Sequence, residues 1–182
     1  MIATDASGQG SCEYGKTRDH VLELDSVLLG GERLYSRPVT EDELDNLCAR
    51  RDRVGRVYRR ARRIIDSERE RIAAIFPPLN RCLTGYDLAH LRTADGKFDL
   101  NSVLCGAEGS LAFTNEAVLN VLPIPAHSTL VNVRYDGFMD ALRDARALMA
   151  SGGSSQTQPQ ARPTSIETVD SKVLGLAMQD VV

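Results

Sequence analysis

Residues Gly10 to Thr17 read Gly-Ser-Cys-Glu-Tyr-Gly-Lys-Thr, and an extended apolar run stands after them where a phosphate-cradling loop would open a helix. The eight residues satisfy the Walker A pattern, in which loop amides hold phosphate, the lysine reaches the outer phosphates and the hydroxyl binds magnesium. That chemistry needs a buried strand before the loop and a helix N-terminus after it. Here only Met1 and Ile2 supply bulky apolar side chains upstream, Asp5 stands in the approach, and Arg18-Asp19-His20 leads into Val21–Leu29. The P-loop nucleotide-binding reading of Gly10–Thr17 is therefore set aside in favour of a glycine-rich connection of another kind.

The β-prone run Val21–Leu29 is followed by Gly30-Gly31 and then Glu32-Arg33-Leu34-Tyr35. Two strands joined by a two-residue glycine turn make a hairpin, because glycine supplies the positive φ that primed turns require. Thr40 and Glu43 have capping-box spacing and predict a helix with Leu44, Leu47 and Cys48 on one stripe. Gly55 is placed to break or bend it. Val54, Val57, Tyr58, Ala61, Ile64 and Ile65 recur at helical spacing and predict a second helix, which Pro77-Pro78 ends. Residues 1–19 read as loop. Leu111–Phe113, Ala117–Leu122 and Thr129–Tyr135 read as strands, Phe138–Ala150 as an amphipathic helix, and Ser165–Val169 as a strand before a short helix. Residues 151–163 have the composition of a flexible linker.

The hydrophobic fraction of 42% and charged fraction of 26% are those of a globular chain, and the net charge of −3 disfavours a general polyanion binder. No apolar run approaches the roughly 20 residues of a membrane span. The first residues lack the basic and apolar regions of a signal peptide, so the cytoplasm is the default compartment. Cys12, Cys48, Cys82 and Cys105 form no CxxC pair, and His20, His90 and His127 lack ligand spacing. The cysteines read as free thiols, and no metal site is expected.

Eight arginines, Arg50, Arg51, Arg53, Arg56, Arg59, Arg60, Arg62 and Arg63, crowd the second predicted helix. A basic helix can bind phosphate backbones, but no aromatic residue except Tyr58 is interleaved for base stacking, and Tyr58 lies on the apolar stripe. A solvated face with Asp52, Asp66 and Glu68 as counterions is the favoured reading. Pairing with acidic surface elsewhere is a further possibility, and no nucleic-acid partner is expected.

Three segments carry a resemblance. The first is Ile2-Ala3-Thr4-Asp5-Ala6-Ser7-Gly8-Gln9-Gly10-Ser11, continuing Tyr14-Gly15-Lys16-Thr17-Arg18-Asp19. The second is Asn80-Arg81-Cys82-Leu83-Thr84-Gly85-Tyr86-Asp87-Leu88. The third is Leu104-Cys105-Gly106-Ala107-Glu108-Gly109-Ser110-Leu111-Ala112-Phe113. Together they resemble the FAD-linked dehydrogenases of the vanillyl-alcohol oxidase or PCMH type, most closely the large bacterial enzymes related to D-lactate and D-2-hydroxyglutarate dehydrogenases. Asn115 departs from the family's usual Thr, and no cofactor role is carried over to it.

The resemblance implies an α+β fold. Residues 1–125 would form the second half of a PCMH-type FAD-binding domain, with antiparallel strands and helices. Residues 126–182 would begin a substrate (cap) domain with β-α-β-α order, incomplete and containing the flexible segment 151–163. It implies an FAD wall formed by Thr4, Asp5, Ala6, Ser7, Gly8, Tyr14, Gly15, Thr84, Gly85, Tyr86, Gly109, Ser110, Leu111 and Phe113. Small residues there let the backbone approach the cofactor, and successive amides can donate to phosphate oxygens. The activity implied is oxidation of a 2-hydroxy acid of the D-lactate or D-2-hydroxyglutarate type. The rest of the flavin site, the substrate residues and any iron–sulfur cluster are expected outside this chain. No catalytic residue is identified in it. The alternative is a non-catalytic fragment, or one half of a split protein that works only with a complementing chain.

Overall fold

A computed structural model describes residues 1–79, 85–150 and 163–179. The chain divides into two units, Met1–Leu122 and Pro123–Val182.

In the first unit, Val21–Leu28 forms β1 and Arg33–Ser36 forms β2; the connection is longer than the expected two-residue turn, because Leu29 joins Gly30 and Gly31, with φ of 116° and 90°, between the paired Leu28 and Glu32. Only glycine adopts such values without strain. Ala112–Leu119 forms β3, and the antiparallel sheet has the order β2-β1-β3. The two strands expected at Leu111–Phe113 and Ala117–Leu122 are thus one. No turn separates them. Asp25 pairs with Glu116 and Ser26 with Thr114, so Asn115 is an extra residue that bulges without ending the ladder.

Residues 1–19, expected as loop, hold short helical turns. These are the 3-10 turn Ile2–Thr4, the single α-turn α1 (Ser11–Tyr14) and the 3-10 turn Thr17–His20, which runs straight into β1. The helices Glu41–Ala49 (α2) and Arg53–Ser67 (α3) form as their periodicity predicts, followed by Arg69–Ile75 (α4) and the short Asn101–Leu104 (α5). Thr40 and Glu43 close a capping box on α2. Gly55 does not bend a helix. It lies in the first turn of α3, whose N-cap Asp52 accepts its amide at 2.9 Å. A Cβ at Gly55 would fall 2.2 Å from the Arg50 carbonyl oxygen, so glycine allows the tight α2–α3 connection.

The core lies between the inner face of the sheet (Leu24, Leu28, Leu34) and the side chains of Leu44, Val54, Tyr58, Ile65, Leu91, Phe98 and Leu104. Each large apolar side chain so buried contributes about 1.5–3 kcal/mol. The Tyr58 and Phe98 rings pack tilted, centroids 6.1 Å apart. Buried Ser36 donates to Asn101 Oδ1 at 2.6 Å, which ties β2 to α5.

The second unit holds Phe138–Ala150 (α6) and Ser171–Ala177 (α7). Asp170 caps α7 by accepting the Lys172 and Val173 amides at 2.8 and 2.9 Å. The strands expected at Thr129–Tyr135 and Ser165–Val169 do not form, so the β-α-β-α order is not realised. A strand needs a ladder partner for its amides, and neither segment has one among the described residues. Leu130, Val131 and Val133 stay exposed. Most of the expected linker, 151–162, lies outside the described residues. No described helix is long and apolar enough to cross a membrane.

Candidate functional site

The three resembling segments, far apart in sequence, meet at one place in the first unit. The Ile2–Thr4 turn ends on Asp5, whose φ of 42° is left-handed. The Gly106 amide donates to the Ile2 carbonyl at 3.0 Å, and the Glu108 amide to the Ala3 carbonyl at 2.8 Å. The third segment is thereby laced to the first. Gly106 has a φ of 81°, and a Cβ there would lie 3.2 Å from the Gly85 carbonyl oxygen and 3.3 Å from Asp5 Cβ. It stands where all three segments touch. Tyr86 completes the junction: its hydroxyl is 2.7 Å from Ser110 Oγ, which itself donates to the Ala107 carbonyl.

The cations of this cluster are paired internally. Lys16 Nζ lies 3.3 Å from Asp5 Oδ2, with the two side chains 2% and 9% exposed. The other Asp5 oxygen accepts the Arg18 amide at 2.8 Å. The Arg18 guanidinium pairs with Asp87, whose carboxylate also faces His90 Nδ1 at 2.8 Å. Burial pulls the Asp19 carboxyl upward, but the Lys16 amide and Arg18 outweigh it and hold the group below its usual range. Thr17 donates through both its amide and its hydroxyl to the Ala6 carbonyl, at 3.1 and 2.8 Å. A P-loop lysine must extend toward phosphate; this one is folded inward onto a carboxylate.

The loop nevertheless offers donors. Among the described residues, the amides of Ser7, Gly8, Gln9 and Gly10 meet no acceptor. Ser7 donates its hydroxyl to Ser11 at 2.8 Å, and a Cβ at Gly8 would meet nothing within 4 Å. Such a run of free amides can hold an anion without a cation.

Of the residues the resemblance points to, Asp5, Ala6, Gly85, Tyr86 and Ser110 belong to the junction, with Thr4 and Ser7 adjacent in the chain. Tyr14 and Gly15 close the loop: the Tyr14 carbonyl lies 2.7 Å from His20 Nε2, and Gly15, at φ 85°, rests against Asp19. Gly109 is open at φ 79°. Leu111 and Phe113 are exposed, Phe113 on β3 opposite Val27, and no hydrogen bond ties either side chain to the junction among the described residues. Thr84 lies outside the described residues. Lys16, Arg18, Asp87 and Gly106 were missed as site-building residues. Their partners are up to 69 positions away, as with Arg18 and Asp87, and nothing local marks the pairing.

Cys12, Cys48 and Cys105 are free thiols. Burial pushes the Cys105 thiol up to about 12, so it is no thiolate nucleophile at neutral pH. Part of the arginine cluster serves the fold. Arg62 pairs with Glu41 and Asp45, Arg53 with Glu32, and Arg59 donates to the Cys48 and Arg50 carbonyls at the end of α2. Asn115 donates to Asp25 at 3.2 Å, an internal bond on the bulge.

The relatives are D-2-hydroxyglutarate dehydrogenases, matched along all of this chain: 66% identical over 182 residues in Pseudomonas putida, 49% over 183 in Pantoea ananatis and 45% over 183 in Escherichia coli. The chain spans 17% of the length of each. No family model matches it, and no solved structure is a significant match.

Proposed function

We propose that the junction of residues 4–17, 85–87 and 106–113 is one wall of an FAD site in a dehydrogenase of D-2-hydroxy acids of the D-2-hydroxyglutarate type, with Thr84 contributing beside it. The observation that carries this is the convergence of three distant segments on Gly106, beside a run of four backbone amides without acceptors. The full similarity to D-2-hydroxyglutarate dehydrogenases supports the activity. On this reading residues 1–125 belong to a PCMH-type FAD domain and residues 126–182 to the start of a substrate domain, in a cytoplasmic protein.

The residues fit such a group. Lys16 and Arg18 are engaged by Asp5, Asp87 and Asp19, so the wall is polar and rich in small residues and its cations are already paired. The amides of Ser7–Gly10 would donate to the pyrophosphate. Gly8 and Gly109 leave room for close approach, and the Tyr86–Ser110 bond fixes the rim. When bound, the flavin supplies the hydride-accepting chemistry. The task of this chain is binding and orientation, not proton transfer, and the remaining walls, the substrate residues and any iron–sulfur cluster lie in other parts of the enzyme. A complementing chain could supply them in trans.

The test is a transplant. This chain replaces the corresponding stretch of the Pseudomonas putida enzyme, and bound flavin and D-2-hydroxyglutarate oxidation are measured. Retention of both supports the reading. A folded hybrid without flavin contradicts it.

A further inference from the structure

Arg56, Arg60 and Arg63 stand on one line along α3, at i, i+4 and i+7, and all three are exposed. Their side chains form no salt bridge or hydrogen bond among the described residues. The arginines beside them are taken up by the fold: Arg53 by Glu32, Arg59 by the Cys48 and Arg50 carbonyls, and Arg62 by Glu41 and Asp45. Helix α3 carries one carboxylate, Asp66, and that faces Arg62 at 3.9 Å. The line has no counterion of its own.

Like charges one turn apart on a helix repel each other and destabilise it. Arg56 with Arg60, and Arg60 with Arg63, make two such pairs in a chain whose net charge is −3. An uncompensated ladder of guanidinium groups on an acidic chain marks a place where external negative charge belongs.

The geometry narrows the partner. Helical rise puts the three Cα atoms about 6 Å and about 4.5 Å apart along the axis. A second helix with carboxylates at the same spacing presents them at the same rise, and each guanidinium can take a carboxylate through two parallel N–H bonds. A nucleic acid or an anionic bilayer presents a wider field of charge. It would also meet Glu32 beside Arg53 and Glu68 and Glu70 past the end of α3, all of them exposed. No aromatic side chain stands on the line for base stacking. Helix α3 exposes no large apolar side chain either. Permanent interfaces are more hydrophobic than this, whereas a bare line of charge suits a transient, electrostatically steered encounter.

We propose that Arg56, Arg60 and Arg63 form a transient docking line for a separate protein that presents an acidic helix.

Fluorescence anisotropy tests this on the 182-residue chain. The probe is a labelled, alanine-based helical peptide with glutamates at i, i+4 and i+7. Saturable binding is expected, weakening as salt rises and weakening about tenfold in Arg56→Gln/Arg60→Gln/Arg63→Gln. Glutamine is a good helix former and removes the repulsion, so this variant folds. Arg134→Gln/Arg143→Gln/Arg146→Gln removes the same charge from exposed positions in the second unit and should bind like the wild type. Absence of binding, or equal weakening in both triple variants, overturns the proposal. Tighter binding of duplex DNA or of phosphatidylserine vesicles through the same arginines overturns it too, in favour of a nucleic acid or a membrane. The Pseudomonas putida transplant should bind the peptide as this chain does. Loss of binding there means that the line is covered within the enzyme, and overturns the separate partner.

Discussion

Asp5 and Lys16 neutralise each other inside the molecule, 3.3 Å apart and almost wholly shielded from water. Removing one partner of a buried pair leaves the other charge unpaired, at a cost of about 3–5 kcal/mol. Lys16→Met is therefore expected to lower the unfolding free energy by that order in urea titrations, and Asp5→Asn/Lys16→Met to recover part of the loss. Neither the wild type nor Lys16→Ala should bind MgATP. Magnesium-dependent ATP binding abolished by Lys16→Ala would restore the P-loop reading.

Gly106 and Gly31 separate backbone strain from steric contact. Both have positive φ, but a Cβ at Gly31 meets nothing within 4 Å, whereas one at Gly106 meets Gly85 and Asp5. A left-handed non-glycine residue costs about 1–2 kcal/mol. Gly31→Ala should show that loss alone, and Gly106→Ala a clearly larger one. Equal midpoints in thermal unfolding would mean that the three segments are not packed as described.

The cap of α2 offers a test by pH. The Arg37 guanidinium, then the Thr40 amide, holds the Glu43 carboxyl at about 2, below its ordinary 4.5. A depressed carboxylate stabilises the fold fully above its unfolded value, and the contribution is lost as pH falls toward the folded one. Wild-type stability should thus fall more steeply than that of Glu43→Gln between pH 4.5 and about 2. Thr40→Ala should cost about 0.5–2 kcal/mol at neutral pH.

Thiol chemistry reports the core. Cys12 is exposed, while Cys105 is buried and its thiol stays protonated far above neutral pH. Peptide mapping after brief iodoacetamide treatment should find Cys12 alkylated and Cys105 intact until denaturant is added. Equal labelling of both under native conditions would contradict the packing of α5 against the sheet.

Local signals were legible in the sequence. Gly30-Gly31 forced the hairpin, Thr40 and Glu43 announced the start of α2, and the stripe from Val54 to Ile65 gave α3. What depended on distant partners was not. Thr129–Tyr135 alternates like a strand yet pairs with nothing among the described residues, and the Asn115 bulge merged two expected strands because β1 supplied one continuous edge. At the site, the resemblance named Asp5, Gly85, Tyr86 and Ser110, but the Lys16–Asp5 and Arg18–Asp87 pairs that fix them emerge only when the chain is folded. The arginine cluster was expected to pair with Asp52, Asp66 and Glu68, but Arg62 and Arg53 also reach Glu41, Asp45 and Glu32 from outside their own helix.

The proposed flavin wall is tested most directly by Gly8→Asp in the transplanted Pseudomonas putida enzyme. A side chain at Gly8 meets nothing within 4 Å, so the fold tolerates it, while the added carboxylate stands among the free amides of Ser7–Gly10. Flavin per folded protein, read from visible absorbance, should fall at least about tenfold, as like-charge repulsion of more than roughly 1.4 kcal/mol requires. Flavin content unchanged from the unmutated transplant would show that this loop does not hold the cofactor.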